Sequence, residues 1–175
     1  MHWILKIVET SRLLLLKPSV NDLDIIFEIL SSPKQTKYLP NEAPYSNVQQ
    51  QDYLNKRISH WQNHGFGTFI IVFKDKPEIK LGFVGAEYTQ NPEFIDVRFG
   101  ISTEYEGQGF VTEAAKSLIS WFFENTEFKN LYGASMTENI GSKTVLSKIG
   151  MVPADDMDLY NCEGIENYSI EAAYA

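Results

Sequence analysis

The chain is short of cysteine, histidine and basic residues, and each shortage closes off a class of function. One cysteine, Cys162, among 175 residues cannot form an internal disulfide, so a reducing, cytoplasmic setting is expected. Three histidines offer little from which to build a metal centre. His60 and His64 stand four apart, but no glutamate sets them in a His-Glu-x-x-His arrangement and no third ligand is evident, so no metal is assigned. Lys and Arg number 15 against 23 Asp and Glu, for a net charge of −8, which argues against nonspecific nucleic-acid binding. Long apolar runs are missing too. The first apolar stretch is interrupted by Lys6, Glu9 and Arg12, too short and too charged for a membrane span or a signal peptide. The absence of a Gly-Lys-Ser/Thr rules out a P-loop. There is no internal repeat and no low-complexity tract.

What is present is ordinary for a globular protein: 43% hydrophobic and 22% charged residues, in a chain long enough to bury a core. One domain over residues 1–175 is expected. Residues 4–16 read as a first strand ahead of Pro18, and Ser19 with Asp22 reads as a helix cap. Leu23, Ile26, Phe27 and Leu30 follow at helical spacing and predict one buried face, ended by Ser31-Ser32-Pro33. Residues 34–47, punctuated with Pro33 by Pro40 and Pro44, read as irregular. Residues 49–63 return to helix with Leu54, Ile58 and Trp61 inward, until Gly65-Phe66-Gly67 breaks it. Residues 68–73, 81–88 and 94–102 are strands joined by short turns, hence an antiparallel meander. A helix from 109 to about 124 must then cross over to a strand at 131–136, a parallel, right-handed unit. A helix over 140–149 ends at Gly150, and 151–175 should supply one or two closing strands. The fold class is α/β: a mixed central sheet with helices on both faces.

The chemistry gathers at Glu106-Gly107-Gln108-Gly109-Phe110-Val111, between the strand at 94–102 and the next helix. Two glycines there let the backbone turn sharply and lay its N–H groups open to an anion. The helix start adds unpaired donors and a positive dipole end, so the local chemistry suits a phosphate or pyrophosphate. A Rossmann loop would need a third glycine where Thr112 stands.

Three motifs in order resemble the GNAT superfamily of acetyl-CoA-dependent N-acetyltransferases, in its RimJ/RimL-like branch. They are Thr10-Ser11-Arg12-Leu13-Leu14-Leu15-Leu16-Lys17-Pro18, then Glu104 to Ala114, then Asn139 to Gly150. The resemblance runs roughly from Ile7 to Pro153. It implies acetyl-CoA as cosubstrate, with its pyrophosphate held at Glu106, Gly107, Gln108, Gly109, Phe110, Val111 and Thr112. It places Ile101, Ser102 and Thr103 beside the pantetheine arm, on a bulged strand whose backbone N–H would face the oxyanion. Gly100 would make that bulge easier. Asn139 is expected at the pantetheine amides or as a helix cap, or both. The branch carries a carboxylate where Asp96 stands, the first choice for the base that deprotonates the amine. The competing reading pairs Asp96 with Arg98. Glu87 is the runner-up base and otherwise an exposed strand residue. Many members place a tyrosine beside the leaving thiolate; here that place is Leu146, and Ser142 is the substitute, facing inward with Val145, Leu146 and Ile149. The chain also departs from the pattern at Glu106, Val111 and Arg98.

The resemblance further implies an amine acceptor, either a protein or peptide N-terminus or a small amine, with a homodimer left open. Residues 151–175 carry Asp155, Asp156, Asp158, Glu163, Glu166 and Glu171 with no Lys or Arg. If they border the acceptor groove, they favour a cationic acceptor such as a polyamine or a basic peptide N-terminus. A noncatalytic CoA- or partner-binding module on the same scaffold is the alternative.

Overall fold

Thr68–Phe73 is apolar at nearly every position and buried on both faces, and the sheet extends outward from it. In the computed structural model, which describes residues 6–39 and 42–175, this strand is β3. It follows a hairpin, β1 (Lys6–Glu9) and β2 (Leu13–Leu16), and precedes β4 (Lys80–Tyr88) and β5 (Ile95–Ile101). The remaining strands are β6 (Asn130–Met136), β7 (Val152–Pro153) and β8 (Ile165–Glu171), in the order β1-β2-β3-β4-β5-β6-β8-β7. Helices α1 (Leu23–Leu30), α2 (Pro33–Thr36), α3 (Asn47–His64), α4 (Phe110–Asn125) and α5 (Ile140–Lys148) flank the sheet.

The pleat sends alternate side chains of the central strands to two separate cores. On one side Phe69, Ile71, Val84, Ala86 and Val97 meet Ala114, Ala115, Leu118, Ile119 and Phe122 of α4. On the other, Ile70, Val72 and Phe83 meet α1 and Leu54 of α3. The predicted meander β3-β4-β5 and the predicted mixed sheet with helices on both faces are both present.

Three expectations need correction. The predicted first strand is two strands, because Thr10 N–H bonds to Leu13 O at 2.9 Å and turns the chain back on itself; residues 4 and 5 lie outside the described residues. The helix after Ser19 buries Ile25, Ile26, Ile29 and Leu30, while Phe27 is 54% exposed. There Ser19 and Asp22 form a capping box on a 3-10 turn that precedes α1. The stretch read as irregular contains α2, whose Ser32 hydroxyl accepts from Gln35 N–H at 3.4 Å; Pro40 lies outside the described residues. Among the described residues no helix is long and apolar enough to cross a membrane.

One feature of the sheet positions the site. β4 and β5 pair continuously from Gly82 to Tyr88, but β5 and β6 share only the parallel register Asp96↔Tyr132. β6 instead pairs along its length with β8. The two parallel strands therefore diverge toward their C-terminal ends, and the helices that follow them, α4 and α5, begin beside the opening. In open α/β sheets a crevice outside parallel strand ends is where ligands bind.

Candidate active site

After β5 the chain makes a 3-10 turn and then the glycine loop. Gly107 and Gly109 have φ of +73° and +79°, the left-handed region that favours glycine. Gly109 is the N-cap of α4 and no side chain bonds to the helix start, so the first-turn N–H groups stay available to an anion. Arg12 braces this loop from β2's side. Its Nη1 donates to Gln108 O at 3.1 Å, its Nε donates to Glu113 Oε2 at 2.6 Å, and its guanidinium lies 4.3 Å from the Phe110 ring centroid. Burial pushes the Glu113 carboxyl up, but hydrogen bonds from Thr10, the Arg12 backbone and the Arg12 guanidinium outweigh it and hold it below its ordinary value. Both residues fall inside the motifs, so their pairing, though not foreseen, had a signal.

The Glu106 carboxylate, an unfavourable neighbour for a pyrophosphate, is engaged by α2. Lys34 Nζ donates to Oε2 at 2.8 Å and Gln35 Nε2 donates to Oε1 at 2.9 Å. Gln35 Nε2 also donates to Ile101 O at 2.7 Å, tying α2 to the end of β5. Val111 and Thr112 are half-buried in the first turn of α4.

At the neighbouring helix, Asn139 Oδ1 accepts from Ser142 N–H at 3.1 Å, which realises the expected cap. Ser142 is half-buried, and Leu146 is 1% exposed in the α4-side core.

The expected bulge over Ile101, Ser102 and Thr103 is absent. The β4–β5 register runs unshifted to Gly82↔Ile101, and the nearest irregularity of β4 lies on its other side, with β3 at Ile71/Val72. Gly100 serves packing: a Cβ there would sit 2.6 Å from Phe83 Cζ. Ser102 N–H already donates to Leu81 O at 2.8 Å, and its hydroxyl donates to Glu28 Oε1. Ser102 therefore has no free amide to offer an oxyanion.

The most charged part of the site lies on the sheet face beneath α3. Glu87 and Asp96 are register partners on β4 and β5, so both point to this face. Asp96 Oδ1 accepts from Arg98 Nη2 at 2.7 Å, as the competing reading held, and Oδ2 accepts from the Tyr160 hydroxyl. Glu87 is not the exposed strand residue expected but 2% exposed. Its Oε2 accepts from Thr68 Oγ1 at 2.5 Å and lies 2.8 Å from Arg57 Nε, and its Oε1 lies 3.8 Å from Arg98 Nη1. Tyr53 lies against the Arg57 guanidinium at 4.3 Å. Burial works against the charge on Arg98, yet Asp96 and Glu87 hold its pKa well above the ordinary value. Burial and the charge of Asp96 push the Tyr160 phenol up.

Arg57, Thr68 and Tyr160 were not foreseen. Arg57 sits three residues after Leu54 and four before Trp61, so helical spacing did place it inward. Tyr160 had no signal, because it arrives from a segment without periodicity. His60 and His64, four apart on α3, belong to an aromatic group with Phe66 and Tyr88. His60 Nδ1 lies 2.8 Å from Phe66 O, and its Nε2 accepts from Tyr88 N–H at 3.2 Å.

The residues fit a CoA-type cosubstrate on two observations: the left-handed glycine turn leaves the start of α4 uncapped, and β5 separates from β6 above it. Over residues 12–152 the sequence matches the family described as Acetyltransferase (GNAT) domain. It is 26% identical over 142 residues to the uncharacterized N-acetyltransferase p20 of Bacillus licheniformis, covering 80% of this chain and 79% of that protein. Its fold is similar to that of spermidine N-acetyltransferase from Vibrio cholerae, solved with CoA and spermine, with a TM-score of 0.74, 18% identity, and coverage of 94% and 98%. It is also similar to that of RimL, a ribosomal L7/L12 alpha-N-protein acetyltransferase solved with CoA, with a TM-score of 0.75, 11% identity, and coverage of 95% and 97%. The crevice, the turn below it and the family match fall on the same stretch of sequence, and the protein therefore belongs to the GNAT family of acetyl-CoA-dependent acetyltransferases.

Proposed function

We propose that residues 1–175 form one catalytic domain that moves an acetyl group from acetyl-CoA to a primary amine, either a protein or peptide N-terminus or a small amine. The observation that carries this reading is the divergence of β5 from β6 beside the charged face holding Asp96. We read the strand opening as the approach of the cosubstrate and the face beneath α3 as that of the amine. Acetyl-CoA, when bound, supplies a thioester carbon open to attack. The residues proposed to hold it are the backbone of Gly107, Gln108, Gly109, Phe110, Val111 and Thr112, with Glu106 kept aside by Lys34, and Asn139 at the start of α5. The amides of Ile101 and Thr103 are the proposed donors to the oxyanion, since that of Ser102 is committed.

An alkylammonium has a pKa of about 10.4 and an N-terminal ammonium about 8, so the acceptor must lose a proton before it attacks. We assign its reception to Asp96. Glu87, shared between Arg57 and Arg98, fixes the two guanidinium groups rather than meeting the amine. Ser142 is the proposed hydrogen-bond donor to the departing thiolate. The acidic segment between β7 and β8 favours a cationic acceptor, the kind named for the structurally similar spermidine N-acetyltransferase of Vibrio cholerae. The setting we propose is a reducing cytoplasm.

The test is incubation of the protein and acetyl-CoA with spermidine, glycinamide and a lysine-rich peptide, the products being read by mass spectrometry. An amine gaining one acetyl group, with CoA released in step, is expected. Acetyl-CoA should also raise the melting temperature, and Gly109→Val should abolish that rise. CoA binding without acetylation of any of the three amines would sink the acceptor reading.

A further inference from the structure

We propose that Tyr160 is a catalytic residue of this site, its phenol oxygen receiving a proton from the acceptor ammonium while its own proton passes to Asp96. The proposal rests on the reading in which Asp96 takes the acceptor's proton.

Asp96 is 5% exposed and Tyr160 is 40% exposed, so of the two residues the tyrosine is the one more open to an incoming molecule. Both carboxylate oxygens are engaged, Oδ1 by Arg98 Nη2 and Oδ2 by the Tyr160 hydroxyl. A phenol has one hydrogen. With that hydrogen committed to Asp96, the oxygen has only lone pairs left to offer, and they accept without donating. An ammonium or amine is complementary to such a surface; a carboxylate or carbonyl is not.

The tyrosine is held by the chain on both sides. Leu159 is 3% exposed, Asn161 N–H donates to Asp158 Oδ1 at 2.6 Å, and Asn167 Nδ2 donates to Met157 O at 2.9 Å. Asn161, at φ +50°, closes the turn that presents the ring. The charged groups that act on the phenol are Asp96 and Arg98 of β5 and Arg57 of α3, with Glu87 of β4 behind them on the two guanidinium groups and Asp158 of its own segment turned to Asn161 N–H. Burial and the charge of Asp96 favour the neutral phenol, and the two guanidinium groups oppose them. A neutral phenol can pass a proton along without keeping it.

The step balances. The ammonium N–H bond breaks as an O–H bond forms on Tyr160, and the original phenol proton moves to Asp96 Oδ2. The freed nitrogen lone pair attacks the thioester carbon, forming C–N. When the tetrahedral adduct collapses, C–S breaks with its electron pair on sulfur, and the thiolate takes the nitrogen's second surplus proton. Asp96 returns its proton to solvent.

The experiment compares the parent, Tyr160→Phe, Asp96→Asn and the double variant, using whichever of spermidine, glycinamide and the lysine-rich peptide the parent acetylates fastest. Tyr160→Phe should lower kcat at least about 100-fold at pH 7, the lower end of general acid–base effects. Its dissociation constant for acetyl-CoA should stay within about twofold of the parent's, which a general disturbance of the fold would not allow. The deficit should shrink as pH approaches the acceptor's own pKa, where free amine is abundant. The double variant should be no slower than the slower single variant within about twofold, since the two groups act as one unit. Parental turnover by Tyr160→Phe from pH 6 to 9, a deficit independent of pH, or losses that multiply would each overturn the proposal. A parent that acetylates none of the three amines would remove the acceptor reading itself, and the proposal with it.

Discussion

Glu87 and Asp96 stand directly opposite each other on β4 and β5, and the guanidinium of Arg98 reaches both, at 3.8 Å and 2.7 Å. Like charges directly opposite on a sheet destabilise it, so this pair is tolerable only with its cations in place. Removing one partner from a buried ion pair costs about 3–5 kcal/mol. Arg98→Met should lose stability of that order in urea unfolding at pH 7. A loss under about 1 kcal/mol would mean that the carboxylates do not depend on Arg98.

Lys34 and Glu106 are joined at 2.8 Å, with side chains 66% and 36% exposed, so the bond itself should contribute at most about 1 kcal/mol. Its proposed role is to keep a negative charge away from the glycine turn proposed to hold the pyrophosphate. Lys34→Met should therefore weaken acetyl-CoA binding by up to about fivefold, the equivalent of that energy, and Glu106→Gln should not. The difference should narrow in 0.5 M salt, where exposed charges are screened. Isothermal titration of both variants decides it; equal affinities at low salt would remove the role.

Much of this architecture was legible in the sequence because hydrophobic period is a local property. The meander, the crossover helix and both cap residues, Ser19 and Asn139, lay within short windows with clear spacing. The turn of Gly107 and Gly109 was legible for the same reason. What escaped were relationships across the sheet. Glu87 looks like any polar strand residue until Arg57 arrives from α3 to cover it. Tyr160 lies 64 positions from Asp96, in a segment whose pattern gave no hint of its path. Gly100 suggested a bulge, where the actual constraint is the ring of Phe83 on the adjacent strand.

Burial holds the His60 imidazole below its usual pKa, although the Phe66 carbonyl opposes this. Tyr88 N–H must be the donor to Nε2, so Nδ1 carries the hydrogen that goes to Phe66 O, and the folded state keeps the ring neutral. As pH falls past about 6.5 the unfolded chain takes up a proton that the folded one refuses. Stability should therefore decline between pH 7.5 and 5.5, and His60→Gln should flatten that decline. Urea midpoints at the two pH values read it directly. An unchanged slope in the variant would assign the pH dependence to other groups.

Of the six carboxylates after Gly150, Glu166 is paired with Lys143 at 3.1 Å, and Asp158 accepts from Asn161 N–H at 2.6 Å within its own turn. Asp155 and Asp156 are exposed, on the segment that carries Tyr160 to Asp96. Charges on a rim act mainly on encounter: they raise the local concentration of an oppositely charged molecule and its association rate. A solvated acidic loop that merely aids solubility would carry the same composition, so composition cannot decide between the two. Salt can, since exposed charges are screened beyond about 8 Å at physiological ionic strength. For a cationic acceptor such as spermidine, kcat/KM should fall as salt rises from about 20 to about 300 mM. In Asp155→Asn/Asp156→Asn the low-salt value should drop and the salt response should weaken, with kcat nearly unchanged because the chemistry lies elsewhere. Asp158 is left alone in this test, since changing it would disturb the turn that presents Tyr160. Glycinamide, with a single charge, should show a smaller salt effect than spermidine. A spermidine salt response that is the same in the double variant and the parent would place those two carboxylates outside acceptor capture.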